Sequence, residues 1–159
     1  MSVANTDPRA ILTALVSAMQ GIDGTGGYHY DTSSSVVIGS PAEPPQTWPT
    51  CYVEPGAMVP DLGPAGRVPL GQYRCTFGFR LYLFVPVSST GGTESQLEAY
   101  DAMMDLFRAA TTDRSIGGTV HLSRFVGDGV TVGTDADALG TGRAVAIVSG
   151  EVEWTRSLS

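Results

Sequence analysis

Lysine is absent from this chain: all nine basic residues are arginine. A phosphate-loop lysine, a Schiff-base lysine and a lysine general base are therefore excluded. Cysteine and histidine are nearly as scarce, with two of each. Cys51 and Cys75 make no disulfide framework. Both fall in stretches that read as strands, and buried free thiols are expected, since free cysteine behaves as a small hydrophobe. A bridge between adjacent strands is the alternative. No G-x-S-x-G, H-E-x-x-H or C-x-x-C motif occurs. His29 and His121 read as surface or satisfied polar residues rather than catalytic bases. A thiolate pair of Cys75 with His121 is disfavoured, because Cys75 belongs to an apolar strand face. Asp135-Ala136-Asp137-Ala138-Leu139-Gly140 begins like a calcium loop but lacks ligands at the fifth position (Leu139) and the twelfth (Ala146). No cofactor, no metal site and no catalytic residue is expected. The N-terminal stretch MSVANTDPRA lacks a basic n-region, and the apolar run after it is short. No signal peptide and no membrane span are expected, which points to assembly in a cytoplasm.

Positive charge is also short. Sixteen acidic residues leave a formal net charge of −7 and a pI near 4.6. The basic footprint of a nucleic-acid binder is missing. An acidic surface that DNA passes without sticking fits the same balance, because like charges repel. At 159 residues the chain suits a single domain, 1–159.

What is present is a clear order of elements. Asp7 suits a helix cap and Pro8 the first helical position, with Ile11, Leu12, Leu15, Met19 and Ile22 at helical spacing. The glycine-rich GIDGTGG ends that helix. Short extended pieces, 28–31 and 35–39, follow. Residues 39–71 then hold eight of the ten prolines. Within them TCYVEP (50–55) reads as a short strand and 56–71 as a long loop. Met58, Val59 and Leu62 are odd residues for a solvated loop. Residues 72–86 alternate as one long strand. Its odd face is apolar throughout, and its even face turns aromatic at Tyr82 and Phe84.

A second helix opens at Thr93 with a capping-box pattern, Thr93 to Gln96. Leu97, Tyr100, Met104 and Phe107 read as its buried stripe, with Met103 beside it. Glu94, Glu98, Asp101, Asp105 and Arg108 form the opposite stripe. Such a stripe faces water, meets arginines of a neighbouring subunit or faces a channel. Strands at 119–127 and 129–134 are expected to join in a hairpin at Gly127-Asp128-Gly129. A last long strand spans 143–156, and antiparallel pairing with 72–86 is expected. The fold class is α+β: one mixed, mostly antiparallel twisted sheet, two main helices packed on one face, and long Pro-rich loops. Tyr82, Phe84, Met58, Val59 and Leu62 are then candidates for a subunit interface, covered by other copies of the chain.

This order resembles the tail-terminator and tail-completion proteins of long-tailed bacteriophages. The likeness is carried by the helix DPRAILTALVSAMQGI and by PPQTWPTCYVEPG, a Pro-rich segment entering a strand. The long apolar strand, the helix opening T-E-S-Q, the turn Asp113-Arg114-Ser115-Ile116-Gly117-Gly118 and a final V-x-E-W strand complete it. The resemblance implies a structural virion protein, not an enzyme, that forms a ring, commonly a hexamer, on the finished tail tube. Its implied place is the virion head–tail junction. Its implied partners are its own copies, the tube protein and the head connector or stopper, with DNA passing through the lumen. The acidic stripe of Glu94, Glu98, Asp101 and Asp105 would then line the lumen or touch a neighbour. The alternatives are another head–tail joining protein (stopper or adaptor), a tail-tube subunit or, further off, a small carboxylate-based hydrolase or a peptide- or sugar-binding β module.

Overall fold

The computed structural model describes residues 7–41, 49–61, 72–86, 93–118, 122–133 and 143–157. Helix α1 (Pro8–Gln20) starts where its chemistry says it should. Asp7 is extended and accepts the Ala10 N–H at 2.8 Å, and Pro8 sits in the first turn. Ile11, Leu15 and Met19 are its buried face. At its end Gly21 N donates to the Ala18 carbonyl and Ile22 N to that of Met19.

Five strands follow in one open sheet of order β1-β2-β3-β5-β4, namely β1 (Val36–Ile38), β2 (Thr50–Asp61), β3 (Gln72–Pro86), β4 (Leu122–Gly133) and β5 (Arg143–Ser157). Helix α2 (Thr93–Thr112) lies between β3 and β4 in sequence. β1 is parallel to β2, and every other pair is antiparallel, so the sheet is mixed. The α+β class expected from the residues is the one observed.

The two long strands pair from end to end, Gln72 opposite Ser157 through Pro86 opposite Arg143. Opposed residues share a face. Cys75, Phe77, Leu81, Leu83 and Val85 therefore stand beside Trp154, Val152, Val148, Ala146 and Ala144, all buried. Both helices pack on this face: α1 over β1 and β2, α2 over β3, β5 and β4. Phe79 is paired with Gly150, and its ring occupies the space a Gly150 side chain would need. Cys51 and Cys75 form no disulfide and are both buried in this core. They lie far apart in register, Cys51 opposite Leu83 and Cys75 opposite Pro60.

Three local expectations are corrected. β2 does not stop at residue 55. It continues to Asp61 through a bulge between Pro55 and Met58, so Met58 and Val59 are strand residues. Gly56 makes the bulge possible, because a Cβ there would come within 2.7 Å of the Gly78 carbonyl oxygen. Prolines 55 and 60 are tolerated because β1 pairs with β2 only at residues 51–53, so they meet no ladder on that side. Second, Gly127-Asp128-Gly129 is not a hairpin. β4 runs straight through it with a bulge, and both halves pair with the one long partner β5. Third, 28–31 forms no strand; only an isolated bridge joins Asp23 and Asp31. Among the described residues no helix is long and apolar enough to cross a membrane.

Gly150→Ala forces the Phe79 ring out of its place. It is expected to cost about 1–3 kcal/mol, read as a lower urea midpoint at unchanged slope. An unchanged midpoint would mean that the ring does not need that space.

Candidate interaction surface

Helix α2 is turned differently from its amphipathic pattern. Its buried face is Ala99, Ala102, Leu106, Ala109 and Ala110, with Met103 partly buried. Four alanines let the helix sit close to the sheet, where a larger stripe would hold it off. The stripe expected in the core points outward instead: Leu97 is 54% exposed, Tyr100 46% and Met104 61%, while Phe107 is partly buried.

The acidic stripe is corrected in the opposite sense. At Asp105 it does not stand free in water, because residues 27–30 of the same chain lie along it, while Asp101 stays half exposed. Residues 98, 101, 105 and 108 recur at i, i+3, i+7 and i+10 and share one side of the helix. Asp105 is 1% exposed. Its carboxylate accepts the His29 N–H (3.0 and 3.1 Å to the two oxygens) and the Tyr30 N–H (2.9 Å). The His29 ring Nδ1 lies 3.0 Å from the same carboxylate. One turn back, His29 Nε2 is 3.7 Å from Asp101. The Tyr30 hydroxyl donates to the Glu98 carbonyl at 3.1 Å. One turn forward, the Arg108 guanidinium lies over the Tyr28 ring at 5.1 Å and against Gly27. Burial first, then the carboxylates of Glu98, Asp101 and Asp105, pushes the Tyr30 phenol up to about 12. Glu94 stands in the first turn of α2, and its side chain lies outside the described part.

The glycines of DGTGGYHYD are the signal for this clamp that sequence reasoning missed. Gly24, Gly26 and Gly27 have φ of 76°, 62° and 98°, which a side chain would resist. They bring the chain tightly back to α2. The His29–Asp105 pair has the outline of a base and its orienting carboxylate. Yet the outer nitrogen of His29 faces a second carboxylate, Asp101, and among the described residues no hydroxyl or thiol is bonded to it. Burial pushes the Cys51 thiol up, away from its reactive thiolate form. The Asp135–Gly140 loop and His121 lie outside the described residues.

The turn Asp113–Gly118 is occupied by its own structure. Asp113 accepts from the Ser115 N–H and hydroxyl at 2.9 and 2.6 Å and from the Gly117 N–H at 2.9 Å. Those bonds, the Ser115 hydroxyl first, hold its carboxyl below the usual range. Ile116 is buried with φ of 49°, followed by Gly117 and Gly118 at 67° and 77°. Arg114 donates to the Ser123 carbonyl and the Ser123 hydroxyl donates back to that of Arg114, tying the end of α2 to β4. A groove of about 450 Å³ lies beside this turn, walled mainly by Ala14, Ala18, Ala109, Ala110 and Ile116.

The open face of the sheet divides in two. One end is charged, with Arg74 bonded to Glu153 at 3.2 Å. The other carries Tyr52, Tyr82, Phe84, Val145 and Ile147. There Phe84 meets Tyr52 edge-on at 5.6 Å and stacks with Tyr82 at 6.4 Å. Phe84 is already 5% exposed within one chain, so as an interface residue it has almost no free surface, and Tyr82 is half-buried. Met58 and Val59 are 47% and 56% exposed. Leu62 lies outside the described residues. Among the described residues, large exposed apolar side chains thus stand on α2, on the far half of β2 and on β1, where Val37 and Ile38 are also about half exposed. Compared with protein-family models and with curated proteins, the sequence matches none.

Removing the Asp105 carboxylate leaves two backbone donors unmet. Asp105→Ala is expected to lose about 1–3 kcal/mol in urea unfolding, whereas Asp101→Asn, at a half-exposed site, is expected to stay within about 0.5 kcal/mol. Equal losses would contradict the clamp.

Asp113 carries a pH signature. Its pKa is depressed by folding, so its stabilisation is present above the unfolded carboxylate range, roughly pH 4, and is lost as pH falls through the folded value. The melting-temperature gap between the native chain and Asp113→Asn is therefore expected to hold from neutrality to roughly pH 5 and to narrow below pH 4. A gap that widens on acidification would refute the assignment.

Proposed function

We propose that this protein is a structural component of a bacteriophage virion. It forms a ring at the head-proximal end of the tail tube, ends tube growth and joins the tail to the head connector. The observation that carries this reading is the outward apolar stripe of α2, Leu97, Tyr100 and Met104. Three large apolar side chains on successive turns of one helix, about half exposed, mark a surface that another polypeptide covers. The arrangement of helix, Pro-rich segment, long strand, helix, Asp113–Gly118 turn and closing strand supports the same reading through its likeness to tail-terminator proteins. The net charge of −7 suits a subunit that DNA passes rather than one it binds.

Light scattering with electron microscopy of the purified chain tests this directly. The expected result is one closed ring of defined mass. Open stacks of growing length would identify a tube subunit instead. A strict monomer at high concentration, with no ring induced by a tube or connector protein, would overturn the reading.

A further inference from the structure

We draw no further inference here: the strongest candidate, the apolar groove between α1 and the end of α2 walled by Ala14, Ala18, Ala109, Ala110 and Ile116, is an unpartnered surface, and nothing in the structure shows what covers it.

Discussion

A buried carboxylate sets the orientation of the second helix. Asp105 takes the backbone N–H groups of His29 and Tyr30 and sits beside the His29 ring. A carboxyl group this deep is tolerated only when its oxygens are hydrogen-bonded. Residues 27–30 must therefore lie on this side of α2 and nowhere else. Once they do, the rotation of the helix about its own axis is fixed: the alanine face meets the sheet, and Leu97, Tyr100 and Met104 turn outward. The surface offered to other molecules is thus a consequence of a polar contact inside the chain.

The sheet sets the rest of the outer surface. β3 and β5 are each 15 residues long and hold each other in register along their full length. They give β2 and β4 more partner than an ordinary strand offers. This is why β2 continues through a bulge and two prolines, and why β4 passes through Gly127-Asp128-Gly129 without reversing. The extended β2 places Met58 and Val59 on a rigid edge instead of a loop.

Much of this was legible in the residues. The cap at Asp7 and the spacing of Ile11, Leu15 and Met19 define α1, and strict alternation over 72–86 defines β3 and its buried face. The class of the fold follows from their order. Other features were hidden for physical reasons. Alanine is weakly apolar, so the true core face of α2 was outweighed by the larger Leu97, Tyr100 and Met104. The four charged residues from Glu98 to Arg108 read as a solvated side, because their partners are backbone groups and rings far earlier in the chain, from 68 residues for Glu98 and Tyr30 to 80 for Arg108 and Tyr28. Gly56, Gly127 and Gly129 read as breaks, when in a strand held by a long neighbour they mark bulges. Of the interface candidates, Met58 and Val59 keep their exposure, while Phe84 is enclosed by aromatic neighbours of its own sheet.

The central claim is that the outward stripe of α2 is covered by another copy. Oxidative footprinting across a dilution series measures this directly at methionine. Met104 is predicted to oxidise readily in dilute, dissociated protein and to become protected as the protein assembles, while the core residue Met19 stays protected throughout. Equal oxidation of Met104 in the assembled and dissociated states would contradict the account.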